Sequence, residues 1–241
     1  MRKRVLWCLT GSGSFIHECS TSIAKLTRSG VEVDVCLSRA GEEVSRLYGV
    51  LSDFLALGVR VLLDRSSSGL DVAGRVASGR YGVVVVAPAT SNTVAKIVLG
   101  VADTPPTIAV SQALKNRIPV AILPSDYGDT VVTTYPCIVH RELCNGCMIC
   151  ASLCPYEAIT VAGSRARIDY SRCVGCGICA TVCPRGAVKC WSRTIYSCYA
   201  RDVAYLRNLE RLGVKVFTSV ESLLEFILKT VRAQQSPASS R

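Results

Sequence analysis

Residues 81–93 read YGVVVVAPATSNT, in which four consecutive valines lead into a run of small and hydroxyl-bearing residues. An uninterrupted β-branched run is typical of a strand that is covered on both faces, as in a parallel sheet. The pattern of Asn92–Leu99 is helical, so the polar residues stand where a central strand passes into a helix. Ligands of open parallel sheets bind at the carboxyl ends of such strands. This junction is therefore a candidate binding site.

Strand-like and helix-like segments alternate around this junction. The strand-like runs are Val5–Leu9, Val31–Leu37, Val59–Leu63, Tyr81–Ala87 and Val120–Leu123. The helical patterns are Phe15–Arg28, Gly41–Tyr48, Asn92–Leu99 and Thr107–Lys115. The alternation predicts an α/β fold of the Rossmann-like (flavodoxin-like) class, a doubly wound parallel sheet with helices on both sides.

The same alternation resumes near residue 199. It predicts a helix at Arg201–Leu212, a strand at Val214–Thr218 and a helix at Glu221–Arg232. One strand and two helices bury little surface alone, so we expect them to complete the first sheet. The predicted domains are a discontinuous α/β domain of residues 1–136 and 191–235, an inserted cysteine-rich domain of residues 137–190, and a disordered tail of residues 236–241.

Composition excludes several classes of protein. Of 241 residues, 49% are hydrophobic and 19% charged, so global disorder is excluded. The longest apolar runs fall short of the roughly 18 residues that a membrane span needs. The basic start is followed by an apolar run, Val5–Leu9, that is too short for a secretory signal. We expect a cytoplasmic protein that binds no membrane.

Residues 137–190 are rich in cysteine and contain an internal repeat. The pattern C-x2-C-x2-C-x3-C-P begins at Cys144 and again at Cys173. This spacing suits two [4Fe–4S] clusters, with the last cysteine of each copy bound to the other cluster. We expect one cluster on Cys144, Cys147, Cys150 and Cys183, and the other on Cys173, Cys176, Cys179 and Cys154.

Zinc is the alternative for these cysteines. Zinc modules use two separated C-x2-C pairs, and the repeated Cys-Pro is foreign to them. The repeat resembles bacterial two-cluster ferredoxins, which implies that the module passes single electrons between a partner and a nearby acceptor. The remaining cysteines are predicted to be unligated in a reducing compartment: Cys8, Cys19, Cys36, Cys137, Cys190 and Cys198.

The formal net charge of +10 raises the question of nucleic-acid binding. That number omits the negative charge that thiolate-bound clusters and a bound phosphate would add. The basic residues are also dispersed, apart from Arg2–Arg4, and aromatic residues do not alternate with them. We therefore expect no nucleic-acid partner.

The loop Thr10–Ser14 follows the first strand and reads TGSGS. Its small residues would let backbone N–H groups and hydroxyls reach a phosphate at a helix N-terminus. As a dinucleotide fingerprint it is incomplete, because Ile16 takes the place of the third glycine. An acidic residue is also missing at the end of the second strand, where Ser38 and Arg39 stand. An NADP site and a plain turn stay open as alternatives.

Two motifs near the junction resemble a known superfamily. They are PATSNTVAKI at residues 88–97 and GVAD at residues 100–103. They resemble the homo-oligomeric FMN-binding flavoproteins, which include phosphopantothenoylcysteine decarboxylase, the flavin prenyltransferases and archaeal flavoproteins. Together with LSRAGEE at residues 37–43 and the repeated cysteine motif, they resemble the archaeoflavoprotein and dihydromethanopterin reductase (acceptor) group.

The resemblance implies an FMN site. It assigns the phosphate and ribityl chain to the loop and to Ser38, and the isoalloxazine ring to Ala89–Thr93, with Asn92 as a ring hydrogen-bond partner. The implied residues are Thr10, Gly11, Ser12, Gly13, Ser14, Ser38, Ala89, Thr90, Ser91, Asn92 and Thr93. Arg39 and Lys96 are candidate electrostatic partners, although solvated surface charge is the preferred interpretation of both. A homo-oligomer, trimeric or larger, is also implied.

Some family features are missing. The decarboxylases carry a histidine before the valine-rich strand, whereas Asp64–Arg80 contains none. Their substrate clamp is replaced by Leu123–Tyr127, so cysteinyl decarboxylation is disfavoured. The two histidines are His17, for which a surface role is preferred, and His140, at the edge of the cysteine module. A hydrogen bond from His140 to a cluster sulfur, which would tune a reduction potential, is an open alternative for this residue.

These features together predict an oxidoreductase that interconverts one-electron and two-electron chemistry. A ferredoxin-like donor would load two [4Fe–4S] clusters, which would reduce FMN. The resemblance implies a pterin such as dihydromethanopterin as the acceptor. An electron carrier with no small-molecule substrate and an NADP-dependent reductase are the alternatives. The sequence identifies no catalytic residue and no proton donor.

Overall fold

A computed structural model describes residues 4–65 and 68–234. The strands are β1 (Arg4–Leu9), β2 (Val33–Leu37), β3 (Arg60–Leu62), β4 (Tyr81–Ala89), β5 (Val120–Pro124), β6 (Thr130–Thr134), β7 (Cys137–Val139), β8 (Ile159–Ala162), β9 (Arg165–Ile168), β10 (Val188–Cys190), β11 (Arg193–Ser197) and β12 (Lys215–Val216). The helices are α1 (Ile16–Arg28), α2 (Arg39–Leu47), α3 (Val50–Ala56), α4 (Ser68–Ala77), α5 (Ser91–Val98), α6 (Pro105–Lys115), α7 (Ile149–Ser152), α8 (Ile178–Thr181), α9 (Ala200–Arg211) and α10 (Val220–Ala233).

Six strands form one parallel sheet in the order β12-β5-β4-β1-β2-β3. The valine-rich β4 lies inside the sheet between β5 and β1, and all nine of its residues are buried. This burial explains its continuous apolar sequence, since neither face meets water. The predicted α/β fold with a parallel sheet is confirmed.

Helices cover both faces of the sheet. Along β1, Val5 and Trp7 pack against one face with α1, α3 and α10, whereas Leu6 and Cys8 face the other with α4, α5, α6 and α9. Successive side chains of a strand point to opposite faces, so one short strand contributes to both layers. The free cysteines Cys8, Cys19 and Cys36 are fully buried, as small apolar residues would be.

The chain after the cysteine module returns to this sheet. β12 pairs with β5 in parallel, and it is two residues long, shorter than the strand predicted at Val214–Thr218. α10 buries Leu223 and Ile227 completely in the same core as β1. The chosen domain boundaries stay predictions, and the predicted disordered tail, residues 236–241, lies outside the described residues.

Outside the cysteine module, four of the described elements have no counterpart among the predicted ones. α3 and α4 bury few side chains, chiefly Phe54 in α3 and the pair Val72 and Val76 in α4. Such sparse apolar positions give only a weak helical pattern. β6 and β11 pair in antiparallel register and form a two-stranded ribbon on either side of the cysteine module in sequence. We call this pair the β6–β11 ribbon.

The cysteine module contains two similar lobes. Each lobe has one short helix, α7 or α8, and one antiparallel strand pair, β8–β9 or β7–β10. The cysteines pack around a small core that includes Ile159, Ile168 and Val188. Within residues 4–65 and 68–234, no helix has the length and apolarity needed to cross a bilayer.

Candidate active site

Two cavities lie on either side of Gly11, at the carboxyl ends of the central strands. The Ser38 cavity has a volume of about 330 Å³ and is lined by Thr10, Gly11, Ser38, Arg39, Ala40, Asp64, Thr90, Asn92, Thr93, Lys96 and Thr104. The Tyr48 cavity has a volume of about 390 Å³ and is lined by residues 11–14, Val44, Leu47, Tyr48, Thr90, Ser125, Asp126, Val131, Thr133, Tyr135, Tyr170 and Tyr196. Both volumes are typical of small-molecule sites. Gly11 and Thr90 form a wall that the cavities share.

The loop Thr10–Ser14, which we call the glycine loop, approaches the start of α2 closely. A Cβ added at Gly11 would lie 2.7 Å from the Cβ of Ala40, and one at Gly41 would collide with the carbonyl oxygen of Leu9. Glycine therefore permits the two segments to meet. Their contact places backbone N–H groups of the loop beside the N-terminus of a nine-residue helix. Such a concentration of N–H groups suits an anion such as a phosphate.

Ser38 caps this helix. Its Oγ accepts a hydrogen bond from the Gly41 N–H at 3.0 Å, so its own hydroxyl hydrogen is available to a ligand. Next to it, the Arg39 N–H donates to Asp64 Oδ2 at 3.3 Å. The Arg39 side chain is 87% exposed, and Lys96 forms a 2.7 Å ion pair with Asp103. Both charges lie at the cavity margin and are already paired, Lys96 with Asp103 and Arg39 with Glu43 at 3.6 Å.

Several of the predicted hydroxyl groups hold the site together. Thr10 Oγ1 donates to the Pro88 carbonyl at 2.9 Å and accepts from the Thr90 N–H at 2.9 Å. Thr90 caps α5 by accepting from the Thr93 N–H. Ser91 Oγ donates to Asp126 Oδ2 at 2.8 Å. These groups position the loop, whereas Asn92 is exposed and lines the Ser38 cavity.

The loop residues Ser12, Gly13 and Ser14 line the Tyr48 cavity instead. Ser12 Oγ accepts from the Ser14 N–H at 3.2 Å, and Ser14 Oγ donates to the Val132 carbonyl of the β6–β11 ribbon at 3.4 Å. Ala89 is fully buried and lines neither cavity. Ser91 also lines neither cavity, and the other predicted residues divide between two cavities that meet at Gly11 and Thr90.

Sequence reasoning missed the aromatic wall of the Tyr48 cavity. Its phenol groups come from α2, from the cysteine module and from both sides of it: Tyr48, Tyr135, Tyr170 and Tyr196. These residues are far apart in sequence and meet only because the ribbon folds over the loop. Asp126 was also missed, although its place directly after β5 matches that of the loop after β1 and could have identified it.

Three phenols of this wall, those of Tyr48, Tyr170 and Tyr196, have raised pKa values and stay protonated at neutral pH. Burial raises the pKa of Tyr48 to about 12. Burial, together with a hydrogen bond to Tyr135, also raises the pKa of Tyr196. The Tyr48 hydroxyl donates to the Thr134 carbonyl of the ribbon. The aromatic wall therefore offers neutral rings and hydroxyl groups, and Asp126 is the acidic residue among those that line the cavity.

The eight predicted cluster ligands occupy matching places in the two lobes. Cys150 and Cys179 are buried on α7 and α8, whereas Cys147 and Cys176 are exposed. The fourth cysteine of each copy accepts a backbone hydrogen bond: Cys154 Sγ from Ala158 N at 3.4 Å, and Cys183 Sγ from Ala187 N at 3.3 Å. Hydrogen bonds of this kind stabilise cluster-bound thiolates.

The sulfur atoms of the two predicted ligand sets do not have the spacing of a zinc site. Four thiolates around one zinc, each about 2.3 Å from the metal, would lie about 4 Å apart. Among the described residues, Cys137, Cys179 and Cys190 form the only group of three or more potential ligand atoms that lie within 4.8 Å of one another. The two sets of four predicted ligands are therefore spaced more widely than a single zinc requires.

Burial disfavours bare thiolates in the module. It raises the pKa of Cys150 and Cys173, and that of Cys179 to about 11. Burial also acts on Cys183, but backbone N–H groups from Ala187 and its neighbours outweigh it and lower the pKa of this thiol. Bound iron would supply the positive charge that the buried sulfurs otherwise lack.

The structure differs from the sequence analysis at Cys137 and Cys190. The two residues were expected to be unligated thiols, but they form a disulfide across β7 and β10. The expectation rested on a reducing compartment, where disulfides are rare. Both sulfurs lie beside the predicted ligand Cys179, at 3.7 and 3.8 Å from its Sγ.

Trp191 connects the cysteine module with the Tyr48 cavity. Its Nε1 donates to the Gly175 carbonyl at 2.9 Å, inside the loop that carries Cys173 and Cys176. Its ring packs edge-on against Tyr48, with 5.5 Å between the ring centroids. His17 lies against both of these rings. The second set of predicted ligands is thus linked to the loop cavity by two aromatic side chains.

His140 has a different environment. Its Nδ1 lies 3.2 Å from Glu142 Oε1, and the imidazole is partly exposed at the edge of the module. The role in tuning a cluster stays a prediction for this residue.

Known proteins and protein families match both the α/β part and the cysteine-rich part of the chain. A family model described as "Flavoprotein" matches residues 1–140, and a model described as "4Fe-4S dicluster domain" matches residues 143–187. A protein of Methanosarcina mazei named dihydromethanopterin reductase (acceptor) is 36% identical over 92% of this chain and 98% of its own. A protein of the same name from Methanocaldococcus jannaschii is 35% identical over 65% of this chain and 67% of its own.

A solved structure matches as well. Burkholderia xenovorans DmrB in complex with FMN, described as a cubic protein cage for redox transfer, has 26% sequence identity and a TM-score of 0.65. The match covers 97% of each chain.

An open α/β sheet with a loop cavity, joined to a two-cluster electron-transfer module, defines an iron–sulfur flavoprotein oxidoreductase. The chain belongs to the flavoprotein family and carries a 4Fe-4S dicluster domain. The predicted family, the oxidoreductase class, and the flavin and iron–sulfur cofactors are confirmed by these matches.

Proposed function

We propose that this chain is an FMN-dependent reductase of a dihydropterin, such as dihydromethanopterin, that takes electrons from a ferredoxin-like protein. The observation that carries the proposal is the wall of Gly11 and Thr90 between two cavities. A flavin that occupies the Ser38 cavity would have a second cavity of small-molecule size directly beside it. The Methanosarcina mazei and Methanocaldococcus jannaschii proteins named dihydromethanopterin reductase (acceptor) support the choice of substrate.

The residues of the Ser38 cavity fit FMN. Thr10 and Gly11 of the glycine loop and the N-terminus of α2 would hold the phosphate, with the Ser38 hydroxyl as a further donor. Asn92 carries an amide at the cavity surface and would form a hydrogen bond with the ring. When bound, the flavin and the clusters supply the change between one-electron and two-electron chemistry.

The Tyr48 cavity would receive the dihydropterin. A pterin is a flat, polar bicycle, and the tyrosine rings offer it packing surfaces with hydroxyl groups at their edges. Asp126, held between Ser91 and Ser125, would accept hydrogen bonds from pterin nitrogens. The protonated hydroxyl of Tyr196 would donate a hydrogen bond. Tyr196 belongs to β11 and Tyr135 directly follows β6, and both line the cavity. The β6–β11 ribbon would therefore exclude water from the bound ring.

The cysteine module would meet the donor protein on its exposed side. Cys147 and Cys176 are the exposed members of the two ligand sets. Trp191 and Tyr48 lie between the second set and the glycine loop, so we place that set on the flavin side. A homo-oligomer and a cytoplasmic location are part of the proposal, supported by the cage described for Burkholderia xenovorans DmrB and by the need for reduced donors.

The test is an anaerobic half-reaction. The holoprotein is reduced with a two-cluster bacterial ferredoxin, and the flavin absorbance is followed after addition of dihydromethanopterin. We expect prompt reoxidation by the dihydropterin and none by its fully reduced product. A flavin that stays reduced with the dihydropterin would make the chain an electron carrier, and bleaching of the oxidised flavin by NADPH alone would make it a nicotinamide-dependent reductase.

A further inference from the structure

The disulfide between Cys137 and Cys190 lies in contact with a predicted cluster ligand. The Cys179 sulfur is 3.7 Å from Cys137 Sγ and 3.8 Å from Cys190 Sγ. Cys137 is 1% exposed and Cys179 is 7% exposed, so these sulfurs meet inside the small core of the module. A solute-sized reductant has little access to Cys137, whereas the Cys179 sulfur is its direct neighbour.

The repeat in the module shows that the fold does not need a disulfide at this place. Val139 pairs with Val188 in one lobe, and Ile168 pairs with Ile159 at the matching place in the other lobe. The same correspondence matches the Cys137–Cys190 pair to Ala166 and Val161, which are also cross-strand partners. An apolar pair therefore occupies the matching cross-strand position of the first lobe, in a strand pair of the same kind. The presence of two cysteines in the second lobe is therefore better explained by their chemistry than by the packing of the strand pair.

The side of the module on which the pair lies is also informative. The Tyr170 hydroxyl, which belongs to the wall of the Tyr48 cavity, donates to the Cys137 carbonyl at 2.8 Å. Trp191 follows Cys190 directly and packs on Tyr48. The disulfide thus lies between the second ligand set and the cavity. Disulfides in reducing compartments are mostly catalytic or redox-sensing rather than structural.

We propose that the Cys137–Cys190 disulfide is a redox-active group that exchanges electrons with the cluster ligated by Cys179. This inference rests on the cluster ligation described above. Reduction breaks the S–S bond, consumes two electrons and two protons, and leaves two thiols. The electrons come one at a time from a reduced iron–sulfur donor protein, and the protons come from solvent at the half-buried Cys190. The chain would then store two electrons beyond those of its clusters and flavin.

The test counts electrons and labels thiols in the holoprotein. Anaerobic protein is titrated with a reduced two-cluster bacterial ferredoxin, then denatured and alkylated with iodoacetamide for peptide mass spectrometry. The comparison variant is Cys137→Ala/Cys190→Val, which installs the apolar pair of the first lobe. Wild type is expected to accept two more electrons per chain than the variant. Alkylation of Cys137 and Cys190 is expected to rise from a small fraction to near completeness on reduction.

Equal electron uptake in the two proteins would overturn the inference, and so would an intact disulfide after full reduction of clusters and flavin. Iron and flavin contents, measured on both proteins, show whether the variant has folded and loaded. Reoxidation by the dihydropterin is recorded in the same samples. If the dihydropterin does not reoxidise the flavin but wild type still takes up two more electrons than the variant, only the proposed function is refuted. If the dihydropterin reoxidises the flavin but the two proteins take up equal numbers of electrons, only the redox role of the disulfide is refuted.

Discussion

At the residue scale, Asp34 shows how a buried charge is held in this sheet. Its carboxylate is 2% exposed, accepts from the Tyr81 hydroxyl at 2.8 Å and pairs with Arg4 at 3.1 Å. These contacts tie the starts of three neighbouring strands, β1, β2 and β4, together. A buried carboxylate needs such partners, because each lost hydrogen bond leaves its charge less compensated.

We therefore expect Tyr81→Phe to lower the free energy of unfolding by about 1–3 kcal/mol at neutral pH. Burial and the neighbouring Asp34 raise the pKa of Tyr81, so its contribution is full at low and neutral pH and is lost as pH rises above about 10. Denaturant titration at several pH values measures this difference. Tyr199→Phe, at a side chain that is 75% exposed, is the control and should change little. Equal stability of wild type and Tyr81→Phe at pH 7 would contradict the assignment.

Two glycines of the cysteine loops have a positive φ, but only one of them has a crowded environment. Gly146 has a φ of 74°, and a Cβ there would collide with the Ser164 carbonyl oxygen. Gly177 has a φ of 82°, but a Cβ there would meet nothing within 4 Å. The two positions share the backbone strain and differ in the collision. They form a matched pair for testing how the loop around the first ligand set is built.

Gly146→Ala is expected to disrupt the cluster on Cys144, Cys147, Cys150 and Cys183 and to reduce the iron content to about half, since each [4Fe–4S] cluster holds the same number of irons. Gly177→Ala should keep nearly all of the iron, because only the backbone strain of about 1 kcal/mol is added. Iron analysis of anaerobically purified protein measures both. Full iron content in Gly146→Ala would show that the loop tolerates a side chain there.

At the element scale, an element was predictable from the sequence when the contacts that stabilise it leave a local pattern of apolar residues. β4 and α5 were predictable because the strand is buried on both faces and the helix repeats its apolar residues at helical spacing. The β6–β11 ribbon was not, because its strands are half exposed and pair across the whole cysteine module. The glycine loop was predictable from small residues after a strand. The tyrosines of the Tyr48 cavity meet only through that long-range pairing, which local patterns do not contain.

The C-terminal helix offers a direct test at this scale. Leu223 of α10 is fully buried in the core that β1 also forms. Leu223→Ala is expected to cost about 2–5 kcal/mol in the free energy of unfolding, through lost burial and the cavity left behind. Leu212→Ala, at a residue 44% exposed, is the control and should cost about 1 kcal/mol or less. A small effect at Leu223 would mean that α10 does not complete the flavoprotein domain.

At the scale of the whole molecule, the proposed function requires electrons to cross from the cysteine module to the flavoprotein domain. Trp191 connects the two, with its indole N–H on Gly175 and its ring against Tyr48. We expect Trp191→Leu to slow flavin reduction by ferredoxin about tenfold, a change that corresponds to ~1.4 kcal/mol of activation free energy. Rapid-mixing absorbance measurements give this rate.

Trp191→Phe is the matched variant for this experiment. It keeps an aromatic ring against Tyr48 and loses only the hydrogen bond to Gly175, so its rate should lie between those of wild type and Trp191→Leu. Unchanged rates in both variants, with iron and flavin contents intact, would show that the electrons take another route to the flavin.

The central claim is that one chain carries a flavin and two iron–sulfur clusters that serve it. The most direct measurement is the content of iron, acid-labile sulfide, zinc and flavin in anaerobically purified protein. We predict about eight irons, about eight sulfides and about one FMN per chain, as two [4Fe–4S] clusters and one flavin site require. Zinc in place of iron, or a chain that retains iron but cannot be loaded with FMN, would contradict the claim.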